Sequence, residues 1–122
     1  MKAPSFILLY VENPLASAAF YEKLFGRPPV DSSTNFSVFA LDNGLKLGLW
    51  REGDVQPKPT AEPGGAEIIF SLDGNEAVDA LYADWRKRGL SIAQEPTAMD
   101  FGYTFVALDP DGHRIRACAL TP

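Results

Sequence analysis

The sequence predicts an α+β fold: two βαβββ modules that form a curved mixed sheet with helices on its outer face. Three observations carry this expectation. The order strand, helix, strands occurs twice along 122 residues. A stretch rich in proline and glycine separates the two occurrences. Each helix carries an apolar stripe on a polar background, as a helix packed on one side of a sheet requires. With 46% apolar residues the chain has enough material for one domain over 1–122 without disulfides or a structural metal. Module one is expected at about 1–52, a linker at about 53–64 and module two at about 65–122.

The elements follow in order. Residues 5–11 (SFILLYV) read as a buried strand. Asn13 then caps a helix that Pro14 opens, because proline lacks only an N–H that the first turn leaves unused. That helix runs to about residue 25, with Ala16, Phe20 and Leu24 as its buried stripe, and Gly26 before Pro28-Pro29 stops it. Strands over 35–41 and 45–51 flank Asp42-Asn43-Gly44, where Asn-Gly is a strong hairpin signal. From 52 to 65 there are three prolines, three glycines and no apolar period, the composition of a linker or flexible flap. The order then restarts. A strand over 66–72 precedes a helix over about 75–88, whose Val78, Leu81, Tyr82 and Trp85 recur at i, i+3, i+4 and i+7. Gly89 ends it. A short strand near 91–93, an irregular EPTAMDFG segment and a strand over 103–108 lead to Asp109-Pro110-Asp111-Gly112. In this turn Pro110 fixes φ and Gly112 takes the left-handed conformation. The last strand is expected to start at His113 and run to Leu120.

Charge and cysteine usage exclude several classes. Eleven Lys and Arg stand against sixteen acids, a net charge of -5 with no basic block. A phosphate-tracking surface is not expected, and with it no nucleic-acid partner. Cys118 is the single cysteine, so no intramolecular disulfide forms; a reducing compartment suits it, and the cytoplasm is the expected location. The apolar run over 6–11 is too short for a secretory or membrane-spanning segment.

Three stretches carry a resemblance that covers the whole chain: VENPLASAAFYEKLFG at the first helix, GGAEIIFSL at the fifth strand and FGYTFVALDPDGHRIR across the last hairpin. The chain resembles the vicinal-oxygen-chelate superfamily, which holds glyoxalase I, extradiol dioxygenases, fosfomycin-resistance enzymes and metal-free bleomycin-binding proteins. A Trp after the fourth strand (LGLWREG), an acid before IIF and the run DPDGHRIRAC make it look most like the small phenazine-antibiotic resistance proteins. Those proteins bind their drug without transforming it.

The superfamily's enzymes take metal ligands from the first, fourth, fifth and eighth strands. The resemblance puts Phe6, then Leu49 or Trp50, then Glu67, then Arg116 at those places. A guanidinium cannot ligate a metal, and neither can the apolar groups, so no metal and no cofactor is expected. Arg116 either faces Glu67 and fills the vacated site as an ion pair, reaches a ligand, or lies on a rim in water. His113 falls on the opposite face from Arg116 by strand alternation and reads as structural or surface. Cys118 reads as a packing residue, since no histidine is placed to activate it, and no catalytic residue is expected.

Alternation also sorts a candidate pocket. Leu45, Leu47 and Leu49 form a row suited to pack under a helix, which leaves Lys46, Gly48 and Trp50 on the other face. A cleft lined by Phe6, Trp50, Phe36 or Phe39, and Tyr103 or Phe105 suits a flat aromatic molecule. Met99 and Phe101 would close it, and Glu67 and Arg116 would serve as polar anchors. Most of the eight Phe, four Tyr and two Trp must nonetheless serve the core, and Trp85 belongs there. Trp50, at a strand end beside the Pro- and Gly-rich segment, is balanced between packing and ligand contact. The expected function is metal-free binding and sequestration of a planar aromatic molecule, a phenazine-like antibiotic; the resemblance to the superfamily's metal-free members implies a homodimer with two equivalent sites. Two alternatives stand beside it. One is a glyoxalase-like or dioxygenase-like metal-dependent enzyme of the same superfamily; the other is a metal-free enzyme with Glu67 as base.

Overall fold

A computed structural model describes residues 3–121; Met1, Lys2 and Pro122, the ends of the expected domain, lie outside the described residues. The chain divides into two compact units, one ending at Pro63 and the other beginning at Gly64. Each carries its own helix and its own four-stranded mixed sheet.

Module one holds β1 (Phe6–Val11), α1 (Pro14–Phe25), β2 (Asp31–Ser32), β3 (Phe36–Ala40) and β4 (Lys46–Arg51). The strand order is β1-β4-β3-β2, with β1 parallel to β4 and the other pairs antiparallel. β2 was not expected; two residues are too short for an apolar period to mark them. α1 starts where Asn13 accepts from the backbone N–H groups of Leu15 and Ala16 at 3.1 and 3.2 Å, and ends at Gly26 with φ of 69°. Its buried face differs from the expected stripe. Pro14, Ser17, Ala18 and Tyr21 are buried, whereas Ala16 is exposed and Phe20 and Leu24 are only partly covered. Positions 14, 17, 18 and 21 keep the helical spacing, but Ser17 breaks their apolar appearance. The contact with β3 is polar as well: Ser37 Oγ donates to Pro14 O at 3.3 Å, and the Ser32 and Ser37 hydroxyls are hydrogen-bonded at 2.8 Å. Tyr21 stacks on Phe25, and Phe25 meets Phe39 edge-on. Leu47 and Leu49 close this core from β4.

The Leu41–Leu45 turn closes with Gly44 at φ of 85° and its N–H on Leu41 O at 3.0 Å. After β4 a 3-10 turn, Glu52–Asp54, leads to Val55, which is 3% exposed and anchors the Pro-rich segment that follows.

Module two holds β5 (Glu67–Ser71), α2 (Asn75–Lys87), β6 (Ser91–Met99), β7 (Gly102–Leu108) and β8 (Arg114–Leu120). Its order, β5-β8-β7-β6 with β5 parallel to β8, repeats that of module one. Val78 and Trp85 are buried on α2, with Leu81 and Tyr82 partly covered beside them. Trp85 meets both Phe70 and Phe105 edge-on. Two boundaries move. β8 begins at Arg114 because the His113 N–H still belongs to the turn, donating to Asp109 Oδ1 at 2.8 Å. The segment expected to be irregular instead continues β6 to Met99. Pro96 is tolerated there because β6 is an edge strand and its pairing with β7 shifts register between Gln94 and Thr97. Among the described residues no helix is long and apolar enough to cross a membrane.

Candidate functional site

In module one, one sheet face is built from rings. β1 projects Phe6, Leu8 and Tyr10 to the side opposite α1, and its parallel register sets them beside Lys46, Gly48 and Trp50 of β4. β3 adds Phe36, opposite Trp50, and Val38, opposite Gly48. The rings form a chain: Tyr10 to Trp50 at 6.3 Å, Trp50 to Phe36 at 6.5 Å and Phe36 to Phe6 at 6.4 Å, all tilted or edge-on. Gly48 is the floor. A Cβ there would come within 2.5 Å of Leu8, 2.7 Å of Phe6 and 2.9 Å of Phe36, so three side chains lean into the space glycine leaves. Phe6 and Leu8 remain 42% and 40% exposed. Tyr10, Phe36 and Trp50 are half-buried beside them.

In module two the corresponding feature is polar. Arg116 donates from Nε to Glu67 Oε1 at 2.8 Å and from Nη2 to Glu67 Oε2 at 2.9 Å, a bidentate pair. Its Nη1 donates to Gln94 Oε1 and Thr104 Oγ1 at 3.2 and 3.3 Å. The Phe101 ring covers the guanidinium, with Cζ 5.6 Å from the ring centroid. Arg114 lies 4.0 Å from the same Glu67 carboxylate. Arg116's hydrogen bond is the main reason the Glu67 carboxyl sits below the usual carboxylate range. The charges of Arg116 and Arg114 add to this, and partial burial opposes it. Thus Glu67 is an ionised partner committed to arginine, not a base poised near neutral pH.

The structure sorts the expected site residues into three groups. Phe6, Phe36 and Trp50 come together in module one. Glu67, Arg116 and Phe101 come together in module two, with Met99 joined to them through the Gln94 amide, which donates to its sulfur. Phe39, Tyr103 and Phe105 are corrected to the helix-packed faces. Phe39 is fully buried against Phe25, and Phe105 is fully buried between Tyr82 and Trp85. The Tyr103 hydroxyl donates to Asp79 of α2 at 2.7 Å. Their odd numbers place them opposite the faces that hold Trp50 and Arg116. Sequence reasoning missed Gln94 and Thr104 as arginine partners. Thr104 was within reach of strand alternation, but Gln94 was obscured by the register shifts of β6. His113 is buried at the turn and Cys118 is buried beside Thr104 on β8.

A divalent ion does not fit either set of side chains. In module one the implied places carry Phe6, Leu49 and Trp50, none a donor. In module two the implied places carry Arg116 and Glu67, and both carboxylate oxygens of Glu67 accept from Arg116. Among the described residues no three His, Cys, Asp or Glu side chains gather as a metal site.

Comparison with known proteins follows the same lines. The family model described as Glyoxalase/Bleomycin resistance protein/Dioxygenase superfamily matches residues 4–117. The chain is 35% identical over 121 residues to the Phenazine antibiotic resistance protein EhpR of Enterobacter agglomerans, covering 96% of this chain and 92% of that protein. A solution NMR structure of an Agrobacterium tumefaciens protein shares 47% identity over the full length of both chains, with a TM-score of 0.90. A glyoxalase-related enzyme from Fulvimarina pelagi shares the fold at 23% identity, with a TM-score of 0.81 over 98% of this chain and 88% of that one.

Proposed function

This chain belongs to the glyoxalase/bleomycin resistance/dioxygenase superfamily, and from that premise we propose that it binds and sequesters a planar aromatic molecule of the phenazine type without transforming it. The observation that carries this reading is the half-buried ring chain Tyr10–Trp50–Phe36 that ends in the exposed Phe6, over Gly48. A flat ligand laid on such a face gains from buried area and from offset or edge contacts, and asks for no catalytic geometry. The 35% identity to a phenazine resistance protein supports the ligand class. The engagement of Glu67 by arginine weighs against its use as a base, and the lack of donors among Phe6, Leu49 and Trp50 weighs against a metal-dependent lyase or dioxygenase. Protection would come from lowering the free concentration of the compound in the cytoplasm, with a homodimer as the acting unit.

Trp50 supplies the test. Trp85 is 3% exposed in the core of module two, so the Trp85→Phe variant isolates the signal of Trp50. Titration with phenazine is expected to quench that signal saturably, and Trp50→Ala is expected to weaken binding, followed by calorimetry, by about tenfold or more. Stoichiometric divalent metal in the purified protein, together with product formation, would favour the metal-dependent reading instead.

A further inference from the structure

Arg116 is gripped by its edges. Nε and Nη2 engage Glu67, and Nη1 engages Gln94 and Thr104, which accounts for four of its five N–H groups. Little of the hydrogen-bonding edge is left for a ligand, and the flat face of the guanidinium is what the side chain offers. The Phe101 ring stands on that face, yet it is 43% exposed. Ile69 at 56% and Met99 at 43% exposure are further apolar groups on the same side of the sheet. The backbone of this turn is held independently of the ring: Phe101 O accepts from the Thr121 N–H at 2.8 Å, and Gly102 lies tight against Ala119. The side chain can therefore leave without the turn unfolding.

Resting on the reading above, we propose that Phe101 is a displaceable ring that holds the guanidinium face of Arg116 in the ligand's stead. The molecule that replaces it is a flat ring system without positive charge. Charge sets this preference: Arg114 and Arg116 share the one carboxylate of Glu67, which leaves a cationic surplus at the face. A neutral ring gains from the guanidinium as Phe101 does, whereas a cationic ring is repelled. Phe101 is thus a specificity-determining residue: any incoming ring must stack better than phenylalanine to take its place.

The test uses phenazine and its cationic relative N-methylphenazinium at neutral pH, with calorimetry for affinity and stopped-flow fluorescence for rates. Wild-type protein is expected to bind phenazine at least about tenfold tighter than N-methylphenazinium. Phe101→Ala is expected to bind phenazine about two- to fivefold tighter, the size of one exposed cation–π contact, with the gain in the association rate. In an Arg116→Lys background, which keeps the charge and loses the plane, the same change at 101 is expected to have no effect. Phe101→Leu, which keeps the apolar bulk and removes the ring, serves if the alanine variant does not fold. Unchanged or weaker phenazine binding in both variants would overturn the role of Phe101 while leaving sequestration standing. Equal affinity for the two rings would overturn the charge preference. Failure of both rings to bind any of these proteins would remove the sequestration reading and this proposal together.

Discussion

Arg116 and Glu67 decide what the eighth and fifth strands can do. They satisfy each other with a bidentate pair, and their geometry makes two measurements informative. The Glu67 carboxyl is held below its ordinary value in the folded protein. The unfolded chain therefore binds that proton more tightly, so the pair's contribution is complete above the ordinary glutamate pKa of about 4.3 and is lost as pH falls through the lowered folded value. Urea melts across acidic pH are expected to show this loss in wild-type protein and to lack it in Glu67→Gln. At neutral pH the same variant leaves Arg116, 14% exposed, without its anion. It is expected to lose about 1–2 kcal/mol, since the site is partly solvated and the full penalty of a buried charge does not apply. Much of this was legible. The Asp109–Gly112 turn sets Leu108 opposite Arg114, so even residues of β7 share a face with even residues of β8. Thr104 then belongs with Arg116, and Tyr103 and Phe105 do not. The Asn43-Gly44 turn fixes Phe36 opposite Trp50 in the same way and sends Phe39 to the core. The error lay in treating ring content as the signal where parity was available.

At the scale of elements, punctuation was read more surely than packing. The start of α1 at Asn13-Pro14 and its stop at Gly26 stand as the capping chemistry implies, and removal of the cap by Asn13→Ala is expected to cost about 1 kcal/mol in urea denaturation. The buried face of α1 was less legible because it is made of Pro14, Ser17, Ala18 and Tyr21. Small and polar residues let the helix sit close to β3, and a hydropathy pattern scores them as solvent-facing. β6 was hidden for another reason: Pro96 and two register shifts break the period that identifies a strand, although the edge position tolerates both. The β6–β7 turn depends on Gly102, whose φ is 152° and whose Cβ, if present, would lie 2.2 Å from Ala119 O. Gly102→Ala must push β7 away from β8 at the point where Phe101 is held. It is expected to destabilise by about 2 kcal/mol or more, with the earliest amide exchange at the Phe101–Thr121 contact.

The whole molecule is a repetition. Each module pairs its first strand in parallel with its last and lays its helix on one face of the sheet. The repeat was legible because strand, helix and turn signals recur in the same order even where residues do not. In module one the free face became rings and in module two a bound arginine, and both retain exposed apolar side chains: Phe6, Leu8, Ile69, Met99 and Phe101 are each 40% exposed or more. A 13.3 kDa chain that keeps so many large apolar groups on its surface is suited to association, since burying them returns about 25 cal/mol per Å². Sedimentation at micromolar concentration is therefore expected to give a species of about twice the chain mass, with phenazine bound equally by the two chains at saturation, as two-fold symmetry requires. Because ligand binds only the folded protein, saturation at about one hundred times Kd should raise stability by about 2.7 kcal/mol, and dimer and ligand should dissociate together on dilution if association shapes the binding face. A monomer that binds phenazine with undiminished affinity would show that one chain suffices.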